Sequence, residues 1–386
     1  MRILLVTPSY FPIVGGSEIL TRVLSSKLNE IGISTDIMTY NMDTKWNPAW
    51  KEEVVKEGSA TVFREAAFNP FHRLPNPLFN LFRINIIPKP SYVKRFKNYD
   101  IVHFISEADI GFPLFSYFIK KPKLFQCLAI FRKGGLYKYY TSERAFLGKT
   151  FKKIFPLIAD KFVISSTEGK ELLTDLGVPE SKIALLDVGV DTEIFQPDST
   201  KKAENMLLFV GRIYRIKGLH VLLQALPYIK TPVKLNIIGP PWDPEYVKEI
   251  EEVAQKINAT GFHKVSLLGE MTQSELVSWY QRASVLVCPY VYETCSNVIR
   301  ESLACGTPVV STGSHLIEGG SDGILLARLD PKDLAKAISK LLSENEVRKR
   351  FGEEGKRVIE QYFSWESVIK DLVKLYNNLI ELYAHS

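Results

Sequence analysis

Residues 2–40 read RILLVTPSYFPIVGGSEILTRVLSSKLNEIGISTDIMTY, and their pattern indicates the fold class. Arg2 to Thr7 form an uninterrupted β-rich run closed by Pro8, which is typical of a parallel strand buried on both faces. A segment with helical periodicity follows from about Ser17 to Ile31, and Ser34 to Tyr40 predict a second strand. The order strand, helix, strand is a βαβ unit that opens a doubly wound α/β sheet.

The same alternation continues along the chain and then starts again after a polar, lysine-bearing stretch that ends near Glu204. We therefore predict two Rossmann-like doubly wound domains that face each other across a cleft, at 1–195 and 196–364. A final helix, about 365–386, has no strand after it and is expected to pack back onto the first domain. The further predicted strands are Ala60–Arg64, Ile101–Phe104, Leu124–Leu128, Lys161–Ile164, Ile183–Leu186, Met206–Val210, Lys234–Ile238, Val265–Leu268, Val285–Cys288, Pro308–Ser311 and Ile324–Leu326.

Length and composition agree with two ordinary α/β domains. The chain has 386 residues, of which 46% are hydrophobic and 24% charged, and this composition can bury large cores. Its four cysteines form no CxxC pair, so we expect reduced thiols. The apolar runs are strand-sized, shorter than the roughly 20 residues of a membrane-spanning helix, and no signal-peptide pattern precedes the first strand. We expect a cytoplasmic protein.

The charge is unevenly distributed along the chain. The net charge is +6, but residues 61–155 alone hold 17 basic and 5 acidic side chains. This segment also mixes large hydrophobes with cations in 77–88 and 146–155, as segments that lie on an anionic membrane surface do. Either a solvated basic face or peripheral membrane contact, at the inner face of the membrane, would explain the pattern. Nucleic-acid binding is a weaker interpretation, because no recognition motif accompanies the charge.

The sharpest chemical signal is the stretch PYVYETCSNVIRESLACGTPVV, which begins at Pro289 and lies between two predicted strands. Ser296 or Asn297 is positioned to cap a short helix that follows the first of these strands. A helix start at the carboxyl end of a parallel strand favours a bound diphosphate, because its unpaired N–H groups and its dipole attract anions. Glu293 precedes the helix and Glu301 lies within it, so the two carboxylates can reach the two ends of one ligand.

These residues resemble a known family. Two glutamates with seven residues between them, followed by Gly-Thr-Pro-Val-Val, are similar to the signature of the glycogen-synthase-like retaining GT-B glycosyltransferases, glycosyltransferase family 4. The resemblance implies that Glu293 lies beside the transferred sugar and that Glu301 accepts hydrogen bonds from the nucleotide ribose. It also implies that backbone N–H groups around Asn297 and Val298 hold the phosphates.

Three further motifs extend the resemblance over most of the chain. Gly211-Arg212 followed by Lys217-Gly218 matches the family's phosphate-binding pair, in which two cations neutralise the leaving diphosphate. Gly189-Val190-Asp191 matches the motif at the interdomain linker. Gly15-Gly16 matches the glycine-rich loop of the first domain, where the backbone approaches the donor phosphate and the acceptor. Arg212, Lys217 and Glu293 are thus the predicted catalytic residues.

The sequence also departs from the family. Many relatives carry a histidine after the first-domain strand that corresponds to 123–128, where this chain has Leu128. His103 ends another buried strand, and packing explains it better than catalysis does. Cys295-Ser296 replaces the usual Phe-Gly after the first glutamate, and Gly313 begins a shortened version of a Gly-Gly-x-x-Glu loop. These changes concern the region around the transferred sugar more than the donor site.

The resemblance implies a retaining hexosyltransferase that moves a sugar from a nucleoside-diphosphate sugar to a hydroxyl of a glycan or of a lipid-linked acceptor. Two side-chain cations would take the place of a divalent ion, so we expect no metal and no cofactor besides the donor substrate. Two alternatives stay open. One is a nucleotide-sugar-binding protein without transfer activity, which binding without turnover would reveal, and the other is a nucleotide-sugar epimerase, which needs no acceptor.

Overall fold

The computed structural model describes residues 1–13, 16–44, 47–68, 86–106, 112, 120–128, 153, 155–198, 200, 202–291, 297–313, 316 and 322–384. The chain divides into two compact units. The first unit contains Met1–Val188 together with Val368–Ser386, and the second contains Gly189–Ser367.

Within the described part of the first unit, eight strands form one sheet in the order β10-β9-β8-β7-β1-β2-β4-β3. All neighbouring strands are parallel except β3 and β4, and β5 and β6 form a separate antiparallel pair. The elements are β1 (Arg2–Val6), α1 (Gly16–Glu30), β2 (Ser34–Tyr40), β3 (Glu53–Glu57), β4 (Ala60–Glu65), β5 (Ala67–Phe68), β6 (Ile87–Pro88), a 3₁₀ helix (Pro90–Asn98), β7 (Ile101–Ser106), β8 (Lys123–Cys127), β9 (Lys161–Ile164), α2 (Thr167–Asp175) and β10 (Ile183–Leu185).

The core of the first unit follows from apolar residues that share a register across parallel strands. Phe104 pairs with Phe125, and Phe125 pairs with Phe162, so these three rings lie on one face of the sheet. Their centroids are 6.3 Å and 5.9 Å apart in turn, and each side chain is buried. Burial of one large apolar side chain contributes about 1.5–3 kcal/mol to stability. The buried runs that predicted these strands therefore also build the core.

Strand β3 is not among the strands predicted from the sequence. It has the sequence EVVKE, and nearly all of it is exposed to solvent. Since β3 lies at the edge of the sheet and pairs only with β4 among the described residues, it lacks the buried apolar run that identified the central strands. Hydrophobic periodicity therefore does not predict an exposed edge strand of this kind.

In the second unit, the described residues form a six-stranded, fully parallel sheet in the order β13-β12-β11-β14-β15-β16. The elements are β11 (Met206–Val210), α3 (Leu219–Ala225), β12 (Lys234–Ile238), α4 (Pro244–Ala259), β13 (Lys264–Leu267), α5 (Gln273–Arg282), β14 (Val285–Cys288), α6 (Asn297–Ala304), β15 (Val309–Ser311), β16 (Ile324–Leu326), α7 (Pro331–Ser343) and α8 (Asn345–Val358), followed by a π-helical turn (Ile359–Phe363). The final helix, α9 (Trp365–Ala384), begins in this unit, but most of its residues belong to the first unit.

Strand β11 is buried on both faces. Leu207 and Phe209 pack into one cluster of the core, and Leu208 and Val210 pack into another on the opposite side. The chain order reverses beside this strand, because β12 and β13 lie on one side of it and β14 to β16 on the other. A crevice at the carboxyl ends of the strands is expected at such a switch point, here between β11 and β14.

Helix α9 carries the chain back to the first unit, to which residues from Val368 onwards belong. Tyr376 on this helix is fully buried, and its hydroxyl lies 2.7 Å from Nδ1 of His103 on β7. Tyr383 donates a hydrogen bond of 3.0 Å to Asp160. Apolar residues Leu372 and Leu379 of the same helix are also buried. None of the helices in the described residues is long and apolar enough to cross a membrane.

Candidate functional site

The predicted donor residues of the second unit gather at its switch point. Strand β11 ends at Val210 and leads directly into Gly211-Arg212, while the neighbouring β14 ends at Cys288 and leads into Pro289. Helix α6 starts at Asn297, on the carboxyl side of β14. The sheet topology thus brings Arg212 and the chain that follows β14 to the same edge, although more than 70 residues separate them in sequence.

The loop that carries Lys217 is fixed to the loop after β14 through its backbone. Gly218 has φ +68°, and a Cβ atom there would lie 1.7 Å from the carbonyl oxygen of Pro289. The N–H of Val291 donates to the carbonyl of Ile216 at 2.9 Å. Only glycine permits both this conformation and this contact. Lys217 is therefore held beside the stretch that leads to Glu293.

Each of the two predicted phosphate-binding cations lies over an aromatic ring. The guanidinium carbon of Arg212 is 4.7 Å from the centroid of Trp242, and Nζ of Lys217 is 4.8 Å from the centroid of Tyr290. Trp242 belongs to the loop after β12, and Tyr290 to the loop after β14. Neither aromatic residue was predicted to have a role from the sequence. Their position immediately after strands that flank the switch point is the signal that could have identified them.

Glu301 is a buried carboxylate with two hydrogen-bond donors from helix α5. Its Oε2 accepts from the hydroxyl of Tyr280 at 2.8 Å, and its Oε1 accepts from Nε2 of Gln273 at 3.3 Å. Burial raises the pKa of Glu301, and the two hydrogen bonds and the charge of Arg300 oppose this rise. The sequence did not lead us to predict a role for Tyr280 or Gln273. Their separation of seven residues places both on one face of α5.

Asn297 and Val298 are the first two residues of α6. The side-chain oxygen of Asn297 accepts a 3.0 Å hydrogen bond from Nη1 of Arg300, which is itself buried. The backbone N–H groups at this helix start are the predicted phosphate ligands, and an N-terminus at the carboxyl edge of a parallel sheet suits an anion. Glu293 and the predicted cap Ser296 lie outside the described residues.

In the first unit, Gly16 begins helix α1, which follows strand β1 at the switch point between β1 and β7. Among the residues that the structure describes, no atom lies within 4 Å of the position that a Cβ atom at Gly16 would occupy. Steric contact with these residues therefore does not explain why this position is a glycine. Glu18 is buried and accepts hydrogen bonds from the hydroxyls of Ser9 and Ser17. Gly15, the other predicted glycine of this loop, lies outside the described residues.

The structure also describes the surroundings of His103 and Leu128, which were discussed from the sequence. His103 is fully buried against Tyr376, and burial lowers the pKa of its imidazole to about 3, so that it is neutral near pH 7. Leu128 follows β8 at the carboxyl edge of the first sheet, and its N–H donates to the carbonyl of Ser106 at the end of β7. Leu128 thus lies at the edge where the switch point of this unit is found.

A cavity of about 260 Å³ in the second unit lies away from these residues. Its lining includes Phe195, Ala304, Lys356 and Glu360, which come from the linker, the end of α6 and the region around the end of α8. Ala304 is at the end of α6 opposite to Asn297. Of the predicted donor residues that the structure describes, none lines this cavity.

Two family profiles match the chain in succession and together cover most of it. The profile described as "Glycosyltransferase Family 4" matches residues 14–194, and the profile described as "Glycosyl transferases group 1" matches residues 204–344. A D-inositol 3-phosphate glycosyltransferase of Corynebacterium urealyticum is 34% identical over 223 residues, which is about half the length of each protein (52%). An uncharacterized glycosyltransferase of Methanocaldococcus jannaschii is 25% identical over 99% of both chains.

Solved structures share the fold at low sequence identity. The sucrose-phosphate synthase of Thermosynechococcus elongatus superposes with a TM-score of 0.72 at 23% identity, covering 100% of both chains. Anabaena HepE in complex with UDP gives a TM-score of 0.75 at 14% identity, covering 98% of this chain and 100% of HepE. The two Rossmann-like units with parallel sheets match the architecture of these GT-B proteins. The chain belongs to glycosyltransferase family 4 and has the GT-B fold.

Proposed function

We propose that the protein is a retaining glycosyltransferase that moves a hexose from a nucleoside-diphosphate sugar to a hydroxyl group of a glycan or of a lipid-linked acceptor. One observation carries this proposal. Arg212 and Lys217 both lie in the chain that follows β11, at the switch point of the second unit, and helix α6 begins on the carboxyl side of the neighbouring β14. Two cations and a helix N-terminus together suit the two phosphates of a nucleoside-diphosphate sugar.

In the proposed reaction, the bond between the anomeric carbon and the diphosphate oxygen breaks while the acceptor oxygen forms a new bond to the same carbon. The acceptor attacks from the face that the diphosphate leaves, so the anomeric configuration is kept. The acceptor proton passes to an oxygen of the departing diphosphate. Arg212 and Lys217 stabilise the negative charge that develops there, and preorganised cations of this kind act without a divalent ion.

Glu301 is proposed to accept hydrogen bonds from the ribose hydroxyls, and Glu293 to lie beside the transferred sugar. The buried Glu301 carboxylate is oriented by Tyr280, which supports a binding role that needs a fixed geometry. Asn297, Val298, Gly15 and Gly16 are proposed to contribute backbone contacts to the donor. The names of the structural neighbours agree with a nucleotide-sugar donor, because HepE was solved in complex with UDP-glucose.

The proposal is tested by incubating the protein with UDP-, GDP- and ADP-hexoses and a panel of glycan and lipid-linked acceptors. We expect nucleoside diphosphate release that depends on the acceptor, and NMR of the product should show the anomeric configuration of the donor. Activity should persist in EDTA. Tight donor binding without turnover across the panel would favour a binding protein, and conversion of the sugar in the absence of acceptor would favour an epimerase.

We also propose that the protein acts in the cytoplasm, at the inner face of a membrane, on a lipid-linked acceptor. The support is the composition of residues 61–155, with 17 basic and 5 acidic side chains interleaved with large hydrophobes. Most of the aromatic and basic stretches at 77–88 and 146–155 lie outside the described residues. The membrane proposal and the glycosyltransferase proposal are independent, since the first can fail without affecting the second.

A further inference from the structure

An exposed tryptophan is locked beside Arg212 by backbone contacts. Trp242 is 57% exposed, and the guanidinium carbon of Arg212 lies 4.7 Å from its ring centroid. The N–H of Ile213 donates to the carbonyl of Pro240 at 3.0 Å, and Ile213 forms a parallel bridge with Pro241. The loop after β11 and the loop after β12 are therefore held in register, and Arg212 and Trp242 extend from them together.

The loop that carries Trp242 has little freedom to move. Pro240 and Pro241 precede the tryptophan and fix their own φ angles. On the other side, Asp243 caps helix α4 by accepting a hydrogen bond from the N–H of Tyr246 at 3.2 Å. Trp242 is thus placed by rigid backbone on both sides. Its side chain remains largely in solvent, so substitution there removes little buried surface.

A neighbouring arginine shows a different arrangement. Arg215 forms an ion pair with Glu249 and also lies over the ring of Tyr246. For Arg212, no carboxylate lies within ion-pair distance among the residues that the structure describes. An aromatic face attracts a guanidinium and restricts its position without cancelling its charge, whereas a carboxylate would cancel it. Among the described residues, the ring of Trp242 thus positions Arg212 without cancelling its charge.

We propose that Trp242 is a positioning residue for the donor diphosphate, which acts by holding the guanidinium of Arg212 at the switch point of the second unit. This inference rests on the proposed function, because it assigns the phosphates of the donor to Arg212. Trp242 itself makes no contact with the nucleotide. Without the ring of Trp242, Arg212 can sample other rotamers. The entropic cost of ordering its side chain then lowers the affinity for the diphosphate.

The test is a double-mutant cycle measured by calorimetry with UDP, GDP and ADP as probes. The variants are Trp242→Leu, Arg212→Ala and the double variant, and Trp242→Phe restores a ring face. Trp242→Leu should weaken binding of the diphosphate by about 2- to 5-fold, the size of an exposed cation–π contact. In the Arg212→Ala background the same substitution should have no further effect, because Trp242 acts through Arg212. Trp242→Phe should recover most of the affinity.

Tyr228→Leu is the matched control, since Tyr228 is 51% exposed in the same unit and lies 5.6 Å from the ammonium of Lys332. It should bind the diphosphate as the wild type does. If Arg212→Ala binds and turns over like the wild type, the phosphate role of Arg212 is wrong and the inference falls with it, whereas the glycosyltransferase proposal is decided separately by the turnover of the wild type. If Arg212→Ala is impaired but Trp242→Leu is not, only the inference fails. An undiminished effect of Trp242→Leu in the Arg212→Ala background also overturns it, because the ring would then contact the nucleotide directly.

Discussion

The hydroxyl of Tyr280 donates a 2.8 Å hydrogen bond to Oε2 of Glu301, and both residues are buried in the second unit. Tyr280 is fully enclosed, and its pKa is raised well above the ordinary value by burial and by the carboxylate beside it. It therefore remains a hydrogen-bond donor near neutral pH. Glu301 thus has one oxygen fixed by Tyr280, and this contact sets the orientation of the carboxylate.

Tyr280→Phe should shift the pH dependence of nucleotide binding. Removal of the hydroxyl deletes the largest contact that opposes the rise in the pKa of Glu301, so this pKa moves further up. Because the ribose hydroxyls need a carboxylate acceptor, affinity for the nucleoside diphosphate should begin to fall at a higher pH than in the wild type. Calorimetry between about pH 5 and about pH 8 measures the shift.

Tyr376→Phe is the control for this variant, because Tyr376 is equally buried but belongs to the first unit and contacts His103. It should leave the pH profile of binding unchanged. Arg300 and Cys305 also lie near Glu301, and Cys288 and Tyr290 near Tyr280; all four are kept in both variants. An unshifted profile for Tyr280→Phe would show that the hydrogen bond does not control the charge of Glu301.

Acidic pH should stabilise the unliganded protein through protonation of Glu301, and the same protonation should weaken nucleotide binding. The pKa of Glu301 is raised above its ordinary value of 4.5, so the folded state favours the protonated form. The resulting stabilisation is complete below 4.5 and is lost as the pH rises through the raised pKa. Glu301→Gln should remove this contribution to the pH dependence of the melting temperature, relative to the wild type. An unchanged dependence would contradict the assignment.

Arg212→Ala and Lys217→Ala should each lower turnover by about 10²–10³-fold, because each removes a charge that stabilises the departing diphosphate. The control is Arg215→Ala in the same loop, whose guanidinium is already paired with Glu249. This control should keep turnover within a few-fold of the wild type. The measurement is steady-state kinetics with the active donor. A wild-type rate for Arg212→Ala or for Lys217→Ala would rule out the predicted role of that residue.

Glu301→Ala and Glu293→Ala should affect different steps. Glu301→Ala should weaken binding of the free nucleoside diphosphate, since the ribose loses its acceptor. Glu293→Ala should reduce transfer more than it reduces binding of the free nucleotide, because this carboxylate is predicted to lie by the sugar. Calorimetry and turnover measured on both variants separate the two roles. Equal losses of nucleoside diphosphate affinity would contradict the division.

Gly218→Ala should be far more damaging than another glycine substitution at the same backbone angle. A methyl group at Gly218 would collide with the carbonyl of Pro289 and force the Lys217 loop away from the loop after β14. Gly261 has φ +71° but open space around its Cβ position, so Gly261→Ala carries only the conformational cost of about 1–2 kcal/mol. Melting temperatures and nucleotide affinity of the two variants should differ clearly. Similar values would show that the contact with Pro289 relaxes easily.

The protein should sediment with anionic vesicles at low salt, and this association should weaken as salt is added. Each cation near an anionic surface contributes about 1 kcal/mol, and salt screens this attraction. Neutral vesicles serve as the control and should retain little protein. Failure to bind anionic vesicles at low salt would end the membrane proposal and leave the glycosyltransferase proposal standing.

Local sequence patterns are enough to predict the strands that have both faces buried and their order along the chain. Runs such as Met206–Val210 and Val285–Cys288 coincide with the strands of the structure, because a strand buried on both faces must be apolar throughout. The signature from Pro289 to Val310 also led to the family, because its two glutamates stand at a fixed spacing ahead of Gly-Thr-Pro-Val-Val. The exposed strand β3 escaped, because solvent imposes no pattern on it.

The contacts between functional side chains, in contrast, depend on the packing of elements that are distant in sequence. Arg212 lies over the ring of Trp242, and Lys217 over that of Tyr290, because parallel strands distant in sequence end at one edge of the sheet. No local sequence pattern specifies the order of those strands. The hydrogen bonds from Tyr280 and Gln273 to Glu301 depend likewise on the packing of α5 against α6. Local sequence specifies which residues are apolar and where turns occur, whereas the partners of a buried charge are set by long-range packing.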